Sequence, residues 1–64
     1  MQLITNIKDL KPHHYYYGKL NNGQFFKDKL LAKKNVTTLI FKSFTCNYLD
    51  IAEIRRINFL DYVF

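Results

Sequence analysis

In the first part of the chain, apolar residues recur at a helical spacing. Four apolar residues recur at intervals that place them on one helical face, which predicts a short helix over residues 1–11. They are Leu3, Ile4, Ile7 and Leu10. Pro12 cannot continue this helix, because proline has no backbone N–H to donate. An edge strand over residues 2–7 is the alternative interpretation.

The pattern then changes to one that is typical of a β-hairpin. Two runs rich in aromatic and apolar residues cover residues 13–20 and 24–31, and Asn21-Asn22-Gly23 lies between them. Asparagine and glycine both accept a positive φ, which tight hairpin turns require. The alternation in the second run changes near Asp28, which indicates a strand that bends there and changes its exposure.

Three further strands are predicted after a polar break at residues 32–35. The clearest of them covers residues 36–44, because β-branched and aromatic residues fill most of it. A fourth strand is predicted over residues 48–51. A fifth is predicted over residues 55–59, where apolar and polar residues alternate.

The last part of the chain has a second interpretation. Asp50 and Glu53 have the spacing of a helix capping box, and isoleucines further on would share one face of that helix. We prefer the strand, because the preceding strands need a neighbour to close the sheet. Residues 60–64 are then an apolar tail that packs on its own domain or adds to the sheet edge of a neighbouring chain.

These elements predict one small domain over residues 1–64 with a mainly β fold. The expected architecture is a strongly bent antiparallel sheet or barrel of about five strands over residues 13–59, preceded by the short helix. An α+β fold with a C-terminal helix is the alternative. Ten apolar residues are expected in the core, namely Leu20, Phe26, Leu30, Val36, Leu39, Phe41, Leu49, Ile51, Ile54 and Ile57.

Composition limits how such a fold is stabilised. A chain this short buries only ~60% of the surface that it exposes when unfolded, so a partner or self-association would add to its stability. Cys46 is the only cysteine, which excludes a disulfide within the chain. His13 and His14 are adjacent and point to opposite faces of an extended segment, which argues against a metal site. We therefore expect no metal and no cofactor.

The sequence predicts neither a membrane or exported protein nor an enzyme. No apolar run approaches the ~20 residues of a membrane span, and the N-terminus does not have the pattern of a signal peptide, so we expect a cytoplasmic protein without a membrane partner. An enzyme is not expected either. Cys46 and a histidine are a nucleophile and a base in principle, but no third residue is evident to orient them.

The charge indicates what kind of partner the domain attracts. Ten Lys and Arg against five Asp and Glu give a net charge of +5, which favours nucleic acid or an acidic protein surface. Aromatic residues among the lysines add the ability to stack on bases. The alternative is that the rings complete the core and the lysines protect an edge strand. The residues predicted to bind nucleic acid or a partner are Tyr15, Tyr17, Lys19, Lys33, Lys34, Arg55 and Arg56.

The order of the predicted elements resembles that of the Sm-like small barrels. The likeness lies first in the segment from Gly18 to Asp28, where a strand leads to a polar glycine turn, an aromatic residue and an acid. The chain also resembles the Rof family of inhibitors of the transcription terminator Rho, which have an Sm-like fold but tend to be acidic. That second likeness lies in Lys34-Asn35-Val36, Leu39, Leu49-Asp50 and Ile54 or Ile57.

The resemblance covers about residues 15–59 and implies a bent five-stranded barrel, with a homo-oligomeric ring as one possible assembly. Together with the charge it predicts a non-enzymatic binding module that contacts nucleic acid or a nucleoprotein machine. The alternative hypothesis is a small inhibitor, encoded by a phage or mobile element, that occludes a host protein. The content of Lys, Asn, Ile, Phe and Tyr is typical of an AT-rich genome and motivates this alternative.

Overall fold

The computed structural model describes residues 3–64, which form one five-stranded antiparallel sheet with a C-terminal helix, α1 (Phe59–Val63). Within the sheet the strands are ordered β4-β3-β2-β1-β5. This confirms the mainly β fold. The strands are β1 (Tyr15–Leu20), β2 (Phe25–Lys34), β3 (Thr38–Phe41), β4 (Thr45–Asn47) and β5 (Ile51–Ile57).

Strand β2 joins the two halves of the sheet. Residues 25–29 pair with β1, and residues 30–34 pair with β3. The register between β2 and β3 shifts between Leu30 and Ala32, and such irregularities bend a strand and increase its twist. The bend that the sequence predicts near Asp28 therefore falls a few residues later, where β2 changes partner.

The hairpin between β1 and β2 is formed by the predicted asparagine–glycine turn. Gly23 has a φ of +90°, the left-handed region in which a side chain would be strained. The Gly23 N–H donates to the Leu20 carbonyl oxygen at 2.9 Å, and the Leu20 N–H donates to the Gln24 carbonyl oxygen at 2.8 Å. This turn fixes which residues of β1 and β2 face each other.

The helix predicted over residues 1–11 is reduced to one 3₁₀ turn at Ile7–Asp9, and the first two residues of that prediction lie outside the described part of the chain. Leu3 forms a β-bridge with Arg55, and the Ile4 N–H donates to the Ile54 carbonyl oxygen at 2.8 Å. The segment before the 3₁₀ turn thus runs along β5, as the alternative edge-strand interpretation expects.

The C-terminal part contains both a strand and a helix. The segment after Asp50 is strand β5, paired along its length with β1, so the capping-box pattern of Asp50 and Glu53 does not start a helix. The helix follows instead as α1, where the sequence predicts a tail. Its cap is Asn58, whose side-chain oxygen accepts a hydrogen bond from the Asp61 N–H at 2.8 Å.

The fourth predicted strand is displaced in the structure. Strand β4 ends at Asn47, so it covers the residues between the predicted strands 36–44 and 48–51. The residues predicted as strand 48–51 begin instead with a 3₁₀ turn at Tyr48–Asp50. The Asn47 side-chain oxygen accepts from the Leu49 N–H at 2.9 Å, which ends the strand and starts this turn.

The core lies on one face of the sheet, which we call the inner face. The prediction that Val36 and Leu49 are core residues is wrong. Val36 is 82% exposed in the turn after β2, and Leu49 is 71% exposed in the second 3₁₀ turn. The hydroxyl of the buried Tyr16 accepts from the Lys11 N–H at 2.8 Å, so burial leaves it satisfied. The buried residues of the main cluster are Leu10, Tyr16, Leu30, Leu39, Phe41 and Ile54.

Candidate functional site

The outer face of β2, β1 and β5, opposite the core, carries the candidate site. Successive side chains of a strand point to opposite faces, and the strand register then sets which residues lie side by side. Three rows result across β2, β1 and β5. The rows are Lys29–Tyr15–Ile57, Lys27–Tyr17–Arg55 and Phe25–Lys19–Glu53, and we call these nine residues the outer face.

Two aromatic rings form a platform on this face. Tyr17 and Phe25 are diagonal neighbours on adjacent strands, and their rings stack with centroids 5.8 Å apart and planes inclined by 28°. Tyr17 is 40% exposed and Phe25 is 57% exposed. A stacked pair that stays this accessible presents aromatic surface to solvent, so the two rings do not serve the core.

Four cations surround the rings on the outer face. The Lys19 Nζ lies 5.7 Å from the ring centroid of Phe25, and the Lys29 Nζ lies 5.8 Å from that of Tyr15, both within the range of cation–π contacts. Glu53, opposite Lys19, is the acid among the nine residues. The cations are Lys19, Lys27, Lys29 and Arg55.

Helix α1 covers one end of the outer face. The Tyr15 ring packs against Phe59 and Tyr62, with centroid distances of 5.4 Å and 4.7 Å. Ile57, next to Tyr15 in the same row, is buried although it lies outside the main core cluster. The row of Tyr15 is therefore closed on one side, whereas the rows of Tyr17 and Lys19 stay open.

A cavity of about 500 Å³ lies beside the open rows. Tyr17, Lys27 and Arg55 line it from the sheet, and Asp61 and Phe64 line it from the C-terminal segment. Lysine and arginine bring positive charge to the same side of the sheet as the exposed tyrosine. This combination suits a ligand with a flat ring and a negative charge.

The structure brings four of the seven predicted binding residues together on the outer face. These four are Tyr15, Tyr17, Lys19 and Arg55. Arg56 points away from it and lines a separate cavity with Asp9. Lys33 and Lys34 lie beyond the bend of β2, and the Lys33 Nζ is 3.4 Å from the Ile7 carbonyl oxygen. These three residues are therefore not among the nine residues of the outer face, although Arg56 also lines a cavity with Tyr15.

Phe25 and Lys27 are outer-face residues that the predicted set does not contain. Both follow from the hairpin, since the turn at residues 21–23 pairs Lys19 with Phe25 and Tyr17 with Lys27. Counting outward from the glycine turn along both strands would have placed them beside the predicted tyrosine. The hairpin register was thus the signal that could have found them.

Two other reactive side chains, Asp28 and Cys46, lie outside the outer face. Asp28 is 2% exposed, and its carboxylate accepts hydrogen bonds from the Lys29 N–H at 2.8 Å and the Ser43 N–H at 2.9 Å, which anchors the turn between β3 and β4. Burial raises the pKa of the Cys46 thiol, and the nearby Asp50 carboxylate raises it further. The thiol therefore stays protonated near neutral pH, whereas a nucleophile needs the thiolate.

Residues 3–64 contain neither a candidate metal site nor a membrane-spanning helix. Within that range, no group of three or more His, Cys, Asp or Glu side chains is arranged to hold a metal ion. The helices found there are too short to cross a membrane. The outer face is thus the feature of the described residues whose chemistry most clearly suits a ligand.

Comparison with known proteins does not supply a relative. No protein-family model, no curated protein and no solved structure matches the chain. The resemblance to Sm-like barrels and to the Rof family therefore stays a prediction. Function has to be inferred from the geometry of the outer face.

Proposed function

We propose that the protein is a non-enzymatic module that binds single-stranded nucleic acid on its outer face. The observation that carries this proposal is the exposed, stacked pair of Tyr17 and Phe25 with Lys19, Lys27 and Arg55 around it. Stacking of a base on an aromatic side chain contributes ~1–3 kcal/mol. The neighbouring cations supply the contacts to phosphate that such binding also needs.

The geometry favours a single strand over a duplex. Bases in a duplex are stacked on each other, so their faces are not available to an aromatic side chain. The major groove of DNA admits a helix or a two-stranded ribbon, whereas Tyr17 and Phe25 lie within a face three strands wide. An unpaired strand can lay its bases on the rings and its phosphates beside the cations.

A titration across salt concentrations tests the proposal. Fluorescence anisotropy with short single-stranded and duplex oligonucleotides should show tighter binding to the single strand. With three or four phosphate contacts, log affinity should fall against log salt with a slope of about −2 to −3. Tight binding without any dependence on salt would contradict phosphate contact.

A double variant separates the rings from the charges. Replacing Tyr17 and Phe25 by alanine should weaken single-strand binding at least about tenfold at every salt concentration, because two stacking surfaces are lost. The salt slope should stay unchanged, since no cation is removed. Lys27→Gln should instead reduce the slope by about 0.7. Val36→Ala and Lys8→Gln are matched controls, because both side chains are exposed in turns away from the outer face.

The test also has an outcome that favours the alternative hypothesis of an inhibitor. Protein recovered from its native cell would then retain one stoichiometric protein partner after nuclease treatment. It would also bind neither single-stranded DNA nor single-stranded RNA. That pair of results would contradict the nucleic-acid proposal and assign the cationic outer face to an acidic protein surface.

A further inference from the structure

A second cavity lies at the closed end of the outer face, next to Tyr15. It has a volume of about 480 Å³, within the range of small-molecule sites in proteins. Tyr15 and Phe59 form an aromatic wall, and Asp61 is the acid among the lining residues. His13, His14, Arg56 and Asn58 also line it.

The backbone of His13 is held in an unusual conformation at this cavity. Its φ is +73°, in the left-handed region that side chains other than glycine seldom adopt. Its N–H donates to the Leu30 carbonyl oxygen at 2.7 Å, a bond to β2 that keeps the residue in place. Histidine is among the residues that adopt this region more often than most, and glycine would adopt it without strain.

The lining groups suit a phosphate monoester. A guanidinium offers paired donors that match phosphate oxygens, and imidazoles add further donors. A phosphate monoester carries about −1.5 to −2 charges at neutral pH and three acceptor oxygens, whereas a phosphodiester within a strand carries one charge. A phosphate at the end of a strand therefore suits Arg56 and the two histidines better than one within the strand, and Asp61 in the same cavity opposes both.

The position of the cavity also suits a strand end. Tyr15 belongs both to this cavity and to the outer face, and it lies about 6.8 Å along β1 from Tyr17. Helix α1 closes this end of the face through Phe59 and Tyr62. A nucleic-acid strand lying on the open rows would meet α1 there, next to the cavity that Tyr15 and Phe59 line.

We infer that this cavity binds the terminal phosphate of a single-stranded nucleic acid whose neighbouring bases stack on the outer face. The inference rests on the proposed function and specifies which ligand that site prefers. It adds His13, His14 and Arg56 to the contact residues.

Competition binding tests this inference. Three unlabelled oligonucleotides of one sequence compete with a labelled strand: one has a phosphate on the first nucleotide, one has it on the last, and one has hydroxyls at both ends. One of the phosphorylated strands should bind about tenfold more tightly than the hydroxyl-ended strand, the size expected of charge-assisted hydrogen bonds. Free mononucleotide in a parallel titration shows whether the monoester binds without a strand.

Two variants assign this preference to the cavity. His13→Gly removes the imidazole at a position where glycine is unstrained, so the fold should persist, and Arg56→Gln removes the guanidinium. Each should reduce the preference for a phosphorylated end to below about threefold, with hydroxyl-ended binding changed less than that. Asn35→Gly is the matched control, because Asn35 has a φ of +59° but lies in the turn between β2 and β3.

The outcomes separate this inference from the proposed function. Equal affinity for all three strands would overturn the terminal-phosphate site and leave single-strand binding intact. A preference that survives both variants would also overturn it, because the phosphate would then bind elsewhere. If none of the strands competes or binds, the proposed function and this inference fail together.

Discussion

At the scale of single residues, Asp61 opposes the charges around it. Its carboxylate lines the cavity beside Tyr17 and Arg55, and it also lines the cavity that contains Arg56 and His13. A negative charge in both places repels phosphate whichever way a strand lies. If the proposed ligand binds at these cavities, Asp61 lowers its affinity.

Replacing Asp61 by asparagine should therefore strengthen single-strand binding. Loss of one like charge near phosphate is expected to raise the affinity about threefold at low salt, with a smaller gain at high salt because ions screen the repulsion. The Asn58 cap contacts the backbone N–H of residue 61, so it is retained. Anisotropy titrations at two salt concentrations measure the effect.

The matched control for this change is Asp50→Asn. Asp50 is also exposed, but it lies in the turn before β5 and lines a cavity with Cys46 and Asn21 rather than with Tyr17 or Arg56. Its removal should change affinity less than removal of Asp61. An equal gain from both variants would show that only net charge matters and that Asp61 has no special position.

Part of the candidate site could be predicted residue by residue. The sequence predicts Tyr17 and Lys19 because tyrosines and a lysine lie together in one predicted strand. The sequence groups Lys33 and Lys34 with Lys19 as one basic patch across the hairpin, but they lie beyond the bend of β2 and pair with β3. Local sequence gives no measure of that bend, since it arises where one strand exchanges β1 for β3 as its partner.

At the scale of secondary-structure elements, Gly18 determines how closely β1 and β2 pack. A side-chain carbon at Gly18 would collide with the Phe26 ring and stand 3.0 Å from the Glu53 carbonyl oxygen. The Phe26 ring cannot easily move aside, because it contacts the rings of Phe41 and Phe44, each with centroids 5.3 Å away. A glycine in the middle of this strand is thus required by packing.

Gly18→Ala should therefore destabilise the domain by about 1–3 kcal/mol, the usual cost of overpacking a core. Urea unfolding followed by circular dichroism measures the change. Gly23→Ala is the comparison, because its φ of +90° strains a side chain but the space around it is open. An unfolding free energy for Gly18→Ala equal to that of the wild type would show that the strands tolerate a wider spacing.

The elements differ in how well the sequence predicts them. The β1–β2 hairpin was predictable because the turn at residues 21–23 specifies its own geometry. The N-terminal helix was not, since apolar residues at a helical spacing such as Leu3 also serve an extended segment beside β5. The capping box of Asp50 and Glu53 failed for a related reason: pairing with β1 outweighs a local helix signal.

At the scale of the whole molecule, the sheet separates two kinds of aromatic residue. Phe26, Phe41 and Phe44 pack against one another on the inner side, where they fill the domain. Tyr17 and Phe25 stack on the outer side and stay exposed. The bend of β2 lets so short a chain enclose a core and still keep three strands for the outer face.

The central claim is that a single strand lies on the outer face, and NMR mapping of a titration with an oligonucleotide tests it most directly. We predict that the largest amide shift changes fall on β1, on β5 and on residues 25–29 of β2, with Tyr17 and Phe25 among them. The turn at residues 35–37 and strand β4 should change little. Shift changes concentrated at that turn or on β4, with the outer face unaffected, would contradict the claim.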